Sequence, residues 1–336
     1  MKSKKIPPFF IVGSGRCGTK LLMRMLRVHK NIEVIPETHF IPTLYRIYNA
    51  SSISYKEFFS VCEDHYGEGG YSWMKMIVQD RWGDYGEFKR EMAKHMSLKY
   101  GGSGTIRQHL NVFFEIISGP CKLVGDKTPH YGTVIDEINE VWPNAKYLHL
   151  MRDGVDVAKS MKGHSAFRRQ ITGNIKLRNL DTCLYKNRLS EYPDSEVSIV
   201  DAMSMWYGIV SKTKSLSGIL DDSQYMELKY ESLLLYPQST ISKVLSFLGH
   251  EVSKSRLFVS SIYPSPFHLS SKNGGGIGNE EEEVPSHVWE LRQKLDYPET
   301  RNYNRAKEFA RSLLYYISKI LSPKKLLKNL YFKVIC

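Results

Sequence analysis

Gly13, Gly15 and Gly18, with Arg16 among them and Thr19-Lys20 behind, have the types and spacing to hold an anionic group. A glycine loop that runs from a buried strand into a helix points several backbone N–H groups at one spot, and the helix dipole adds to the field there. The chemistry is that of a phosphate cradle. Gly13, Gly15 and Gly18 also fit the dinucleotide fingerprint, with Glu33 or Glu37 as the ribose acid. Gly13 and Gly18 have the spacing of a Walker A loop too, but that motif needs Lys followed by Ser or Thr to hold Mg²⁺. Here Thr19 precedes Lys20 and Arg16 lies inside the loop. An Arg in the cradle points to an anion neutralised by protein rather than by metal. A plain strand–turn–helix corner is the structural alternative.

Two further stretches carry chemistry. In Trp142–Met161 a strand ends at Arg152, a turn follows and a helix starts near Gly154. Arg152 and Ser160 are placed to meet a second phosphate, one by charge and one by a hydroxyl donor. Val124-Gly125-Asp126-Lys127-Thr128-Pro129 is again a strand running into a loop, with Lys127 at its end.

The elements that must position these groups are short apolar runs alternating with helical patterns, which predicts an α/β fold with a central parallel sheet flanked by helices. The strands are expected at Phe9–Gly13, Glu33–Pro36, Lys122–Asp126, Lys146–Met151 and Tyr225–Lys229. Ligands of open α/β sheets sit beyond the carboxyl ends of the strands. Gly13, Lys127, Arg152 and Tyr230 all lie at such ends. The region Ser51–Pro120 reads as mostly helical with a glycine break at Gly101–Gly104, and a helical pattern covers Thr38–Tyr48. Lys162–Glu196 is basic and weakly periodic, an insertion or lid. Asp201–Leu220 and Pro237–Leu248 read as helices, Ser270–Glu283 as a linker loop, and Tyr303–Leu321 as a final amphipathic helix before the basic tail Lys324–Cys336.

These stretches resemble the sulfotransferases that use 3′-phosphoadenosine 5′-phosphosulfate (PAPS), nearest in pattern to the tyrosylprotein sulfotransferases and their bacterial relatives. The loop Gly13–Leu21 resembles the family's 5′-phosphosulfate loop, and Arg152 through Ser160 its 3′-phosphate motif. Pro36-Glu37-Thr38 resembles the Glu-Glu-Thr stretch that holds the catalytic base, and Lys127 matches the catalytic Lys. Leu228–Leu233 with Pro237 and Phe247–Gly249 matches a typical family stretch, which places Tyr230 near the nucleotide. Ser271-Lys272 resembles the late cofactor loop.

The resemblance implies a P-loop-like fold and sulfuryl transfer to an acceptor hydroxyl on a glycan, a tyrosyl peptide or a small molecule. Glu37 would be the base, with Lys127 and Arg16 as charge stabilisers and no metal. Gly15, Arg16, Cys17, Gly18, Thr19, Lys20, Leu21, Arg152, Ser160, Tyr230 and Lys272 would hold the donor. The chain departs from the family at Cys17, where a hydroxyl donor is usual, and at His164, where the tyrosyl branch has Arg. A nucleotide kinase or NTPase and a non-catalytic nucleotide-binding module are the rival functions.

Glu37 has a structural reading as well, as an acid favouring the helix that follows. Asp153 is placed to cap its helix. His39, His130 and His149 read as structural, with His39 and His130 the places to seek a base if Glu37 does not serve. Arg168, Arg169, Lys176 and Arg178 could grip an acidic acceptor or simply be solvated.

The chain has 336 residues, and its 47 Lys and Arg against 35 Asp and Glu give a net charge of +12, which suits an anionic ligand. No nucleic-acid-binding motif is recognisable, so no nucleic-acid partner is expected. Five cysteines without paired spacing argue for a reducing compartment and against disulfides or zinc. With the apolar run before Gly13 too short for a signal core, a cytoplasmic location is expected. The tail is amphipathic and basic enough for weak contact with an anionic membrane surface, although packing on the protein is its more ordinary use. Residues 1–300 are expected to form the sulfotransferase domain, with the insertion at 162–196, and 301–336 the C-terminal helix and tail. The oligomeric state is left open.

Overall fold

Alternation within one strand explains the layering. Strand β1 (Phe9–Val12) is buried along its whole length. Successive side chains of a strand point to opposite faces. Phe9 and Ile11 enter one apolar cluster with α1 (Thr19–Arg27) and the later helices. Phe10 and Val12 enter another with the helical layer on the far side. A strand buried on both faces belongs at the centre of a parallel sheet, and β1 is the middle strand. In the computed structural model, which describes residues 7–64, 72–119, 123–177, 192–250 and 284–297, the five-stranded sheet runs β2 (Ile32–Ile35), β5 (Leu123–Asp126), β1, β6 (Lys146–Met151), β7 (Tyr225–Lys229), all parallel.

The connections carry the helices. Between β2 and β5 run α2 (Ile41–Tyr48), α3 (Tyr55–Glu63), α4 (Trp73–Arg81), α5 (Tyr85–Tyr100) and α6 (Ile106–Ser118). Ser54 and Thr105 start α3 and α6 with reciprocal capping boxes, and Asp84 caps α5. A small antiparallel pair, β3 (Ile53–Ser54) with β4 (Ser103–Gly104), closes this helical layer. Its core is a run of edge-to-face aromatics, among them Phe40 on Phe113, Phe88 on Phe113 and Phe58 on Phe59.

After β5 come a 3₁₀ turn (Pro129–Val134) and α7 (Ile135–Val141). After β6 come α8 (Gly154–Lys162), α9 (Ser165–Leu177) and α10 (Ile199–Leu216). After β7 come α11 (Tyr230–Leu235), α12 (Pro237–Phe247) and α13 (Ser286–Lys294). The third apolar cluster joins α8, α10 and α13 around the fully buried Trp206.

The strands lie within one residue of their expected ends. The helical pattern expected from Thr38 begins instead at Ile41, because Thr38 turns its hydroxyl onto Asp126 and His39 takes a left-handed backbone angle. The helix expected over Asp201–Leu220 runs Ile199–Leu216 and ends in a short 3₁₀ turn. The expected lid begins as α9. Lys272, the linker Ser270–Glu283, the helix Tyr303–Leu321 and the tail Lys324–Cys336 lie outside the described residues. Among the described residues no helix is long and apolar enough to cross a membrane.

Candidate functional site

The loop after β1 turns through left-handed backbone at Gly15 (φ 74°), Arg16 (φ 51°) and Gly18 (φ 97°). Gly18 needs both its conformational freedom and its missing side chain. A β-carbon there would stand 2.2 Å from Cδ2 of Tyr230. The helix that follows, α1, has no side-chain cap and no acidic residue in its first turn. Its N-terminal field is therefore left to a ligand. Gly13 N–H donates to the Pro129 carbonyl at 2.8 Å, which fixes the loop to the exit of β5.

Thr19 and Leu21 are buried and Lys20 is exposed. Cys17, expected among the donor-binding residues, has its side chain wholly buried in the cluster of Met151, Val155 and Trp206. Burial pushes its thiol pKa up. No part of the residue is exposed, and the thiol takes hydrogen bonds from within the loop, from the Ser14 side chain and from the backbone of Ser14, Cys17 and Thr19.

Arg152, just beyond β6, comes to the same loop. Its guanidinium lies 4.8 Å from the centre of the Tyr230 ring and 3.4 Å from the Asp156 carboxylate, and it reaches the Arg16 carbonyl at 3.5 Å. Arg16 Nε donates to Ser160 Oγ at 3.0 Å. The arginine of the loop, the arginine after β6, Ser160 and Tyr230 thus form one group, as the sequence predicts. Burial and then the nearby Arg152 lower the pKa of Arg16. Two cations held against one another beside an uncapped helix start make a site complementary to an anion.

The turn that carries Arg152 is locked from behind. Asp153 caps α8 by accepting from Val155 N–H at 3.0 Å. Arg292 of α13 also grips both Asp153 oxygens, at 3.1 and 3.0 Å, in a buried pair. Trp206 Nε1 donates to the Arg152 carbonyl at 3.2 Å.

Across the cradle, the ends of β2 and β5 bring Glu37 and Lys127 into a direct ion pair. The register explains it, since Ile35 lies opposite Asp126 and the two chains leave the sheet side by side. Lys127 is buried, while the Glu37 side chain keeps a quarter of its surface. The second carboxylate oxygen of Glu37 lies 2.8 Å from His39 Nε2. Burial alone would raise the Glu37 pKa, but Lys127 and His39 together outweigh it and hold the carboxyl well below the usual range.

Beneath this pair lies a buried network. The Thr38 and Thr128 hydroxyls donate to the Asp126 carboxylate at 2.6 and 2.5 Å, Thr38 N–H donates to Thr128 Oγ1 at 3.0 Å, and Tyr131 Oη lies 2.7 Å from Thr38 Oγ1. Burial pushes Asp126 up to about 7 against those hydrogen bonds.

His130 lies beside the loop. A β-carbon on Gly15 would approach His130 at 3.4 Å and the Phe167 ring of α9 at 2.6 Å, so α9 covers this corner. Burial first, and His39 next, depress His130 to about 3.

Sequence reasoning named His39 but read it as structural, and it missed Trp73 against it and Arg292, neither of which has a local signature. His39 follows the acid by only two residues, and that spacing was the available clue. His149 bonds the Tyr225 hydroxyl at 2.5 Å, a structural use. Glu33, the alternative ribose acid, is held by Arg27 and Arg81. Arg168 makes a bidentate pair with Asp194 at 2.6 and 2.8 Å and Arg169 bonds the Tyr192 carbonyl, so both are engaged within the protein, where the sequence left a grip on an acidic acceptor and a solvated lid as alternatives. Lys272 is outside the described residues, as is Arg178. Among the described residues no group of three or more His, Cys, Asp or Glu is placed to hold a metal ion.

A glycine loop, strand-end cations and a carboxylate come together at one edge of an α/β sheet. The chain belongs to the sulfotransferase family, whose profile matches residues 7–254. It is 21% identical over 276 residues to protein-tyrosine sulfotransferase 2 of Gallus gallus, covering 80% of this chain and 58% of that relative, so it spans little more than half of the curated protein's length. Two solved structures share the fold. The sulfotransferase domain from the curacin biosynthetic pathway has a TM-score of 0.58 at 19% identity, over 88% of this chain and 99% of that one. The sulfotransferase domain from the Synechococcus PCC 7002 olefin synthase has a TM-score of 0.55 at 18% identity, over 87% and 95%.

Proposed function

We propose that the protein transfers a sulfuryl group from PAPS to an acceptor hydroxyl. The observation that carries this reading is the direct pairing of Glu37 with Lys127 beside a cradle that already groups Arg16, Arg152 and Ser160. The donor is a substrate, and its fit rests on this chain's own groups. The loop N–H groups and Arg16 suit the 5′-phosphosulfate. Arg152 and Ser160 suit the 3′-phosphate, and the Tyr230 ring supports Arg152.

The donor supplies the sulfuryl group and a phosphate leaving group. The acceptor oxygen bonds to sulfur as the bond from sulfur to the phosphate oxygen breaks, and that oxygen keeps the electron pair. Lys127 and Arg16 stabilise the charge that grows there, in place before the reaction begins. Glu37 takes the acceptor proton, and its position at the end of β2 holds it beside the loop. Fixing both partners in line supplies much of the remaining acceleration.

The likeness to a protein-tyrosine sulfotransferase supports a hydroxyl acceptor. Whether it is a tyrosyl peptide, a glycan or a small alcohol is decided by a screen of labelled donor against the three.

The donor reading is tested by melting the protein in EDTA. 3′-Phosphoadenosine 5′-phosphate should raise Tm without metal, and ATP should raise it less. Equal stabilisation by ATP that depends on Mg²⁺ would assign a kinase-type site instead. The non-catalytic alternative is met by the Glu37→Gln variant described in the Discussion.

A further inference from the structure

Glu37 stands between two nitrogen groups that are tied down very differently. Lys127 bonds one carboxylate oxygen from the end of a flexible stem. A bound sulfuryl donor competes with Glu37 for that charge. His39 bonds the other oxygen from a ring only 3% exposed, packed against Trp73 with ring centroids 4.5 Å apart. Its backbone φ is 55°. A residue with a β-carbon keeps this left-handed angle where its surroundings hold it there, and such angles gather at functional sites. A ring that only fills the core needs neither that angle nor a nitrogen directed at a carboxylate two residues back.

We propose that His39 is the positioning residue of the base. Its Nε2–H holds Oε2 of Glu37, so that Oε1 is presented to the acceptor proton once Lys127 turns to the donor. The proton moves from the acceptor to Oε1, and His39 keeps its own. The inference rests on the reading of Glu37 as the base.

The charged and titratable groups facing Glu37 are Lys127 beyond β5, Asp126 on β5, His130 on the 3₁₀ turn and His39 itself. Trp73 of α4 adds no charge. The low carboxyl pKa, set by Lys127 and then His39 against burial, agrees with a hydrogen bond to the ionised form.

The test isolates the state in which Lys127 has left. Full-length Lys127→Ala protein carrying ¹³C-labelled glutamate is titrated by NMR, with the Glu37 carboxyl assigned by its loss in Glu37→Gln. Adding His39→Ala should raise the midpoint by about one pH unit, the usual scale for a lost hydrogen bond to a carboxylate. Adding His39→Gln, whose amide N–H can reach the same oxygen, should restore most of it. An unchanged midpoint in His39→Ala, or equal midpoints for Ala and Gln, overturns the proposal. If His39→Ala does not fold, His39→Asn takes its place, because its shorter amide cannot span the gap. Turnover of Glu37→Gln judges the base reading separately. Normal turnover there removes the base whatever His39 does, whereas a dead Glu37→Gln with a silent His39→Ala removes only the present inference.

Discussion

Glu37 has each carboxylate oxygen on a different nitrogen, Lys127 on one side and His39 on the other. On the proposed reading of Glu37 as the base, a carboxylate held so far down in pKa is weak until one of its cations is drawn away, so the pair with Lys127 would restrain it until a donor binds. Glu37→Gln should leave nucleotide affinity nearly unchanged and lower turnover on a verified acceptor by about 10²–10⁴, the range for a lost general base. Near-normal turnover in that variant, measured with labelled donor, would sink the assignment. On the same reading Arg152 acts in binding. Its removal should weaken 3′-phosphoadenosine 5′-phosphate by about 1.5–3 kcal/mol, the scale of a hydrogen bond to a charged group, and should weaken the nucleotide lacking the 3′-phosphate much less. Calorimetric titration of both nucleotides checks this, and equal losses would place the phosphate elsewhere.

At the scale of elements, α13 reaches back across the chain to hold the start of α8. The Arg292–Asp153 pair is buried on both sides, with side-chain exposures of 8% and 7%. Removing one partner of such a pair leaves a charge without compensation. Arg292→Ala should therefore cost about 3–5 kcal/mol, read from the midpoint of urea unfolding. A cost below about 1 kcal/mol would mean that water replaces the contact. The cap on α8 was legible because Asp153 precedes its helix by one residue. Its second partner lies 139 residues away and leaves no local trace. The strands were legible for a related reason. A centre strand buried on both faces is an unbroken apolar run, and Phe9–Val12 reads directly, while Lys146–Met151 is broken only by Lys146 at its start and by His149. The pair β3–β4 was not, since two residues a side show no period. The cradle and Arg152 were legible as residue types at strand ends and Ser160 as a hydroxyl on the helix after Arg152, but the burial of Cys17 and the partners of Arg168 and Arg169 depend on packing that only the fold supplies.

The whole molecule titrates through its buried site. His130 is depressed to about 3 in the folded protein, below its ordinary value near 6.5. The unfolded chain therefore binds a proton there that the folded protein refuses. Stability from this group is complete above about 6.5 and is lost as pH falls towards about 3, at up to about 1.4 kcal/mol per pH unit. Asp126, raised to about 7, has the opposite slope from about 4 to 7. Wild type alone thus conceals both. The difference in unfolding free energy between wild type and His130→Gln should fall as pH is lowered across that range, and a pH-independent difference would mean that His130 has the same pKa folded and unfolded.

The five strand ends have one more bearing on the molecule. Gly13, Glu37, Lys127, Arg152 and Tyr230 each follow a different parallel strand, and the strand order sets the first beside the third and fourth. No local segment contains the anion site. It comes into being only when strands far apart in sequence have zipped together, which is the slow kind of event in folding because distant loops must close first. On the proposed reading, nucleotide affinity would report the assembled sheet rather than any one segment of it. A ligand bound there stabilises the completed sheet by mass action and nothing before it. During synthesis, a nascent chain that has not yet released β7 would lack Tyr230 behind Gly18, and on the proposed reading it would not yet hold its donor.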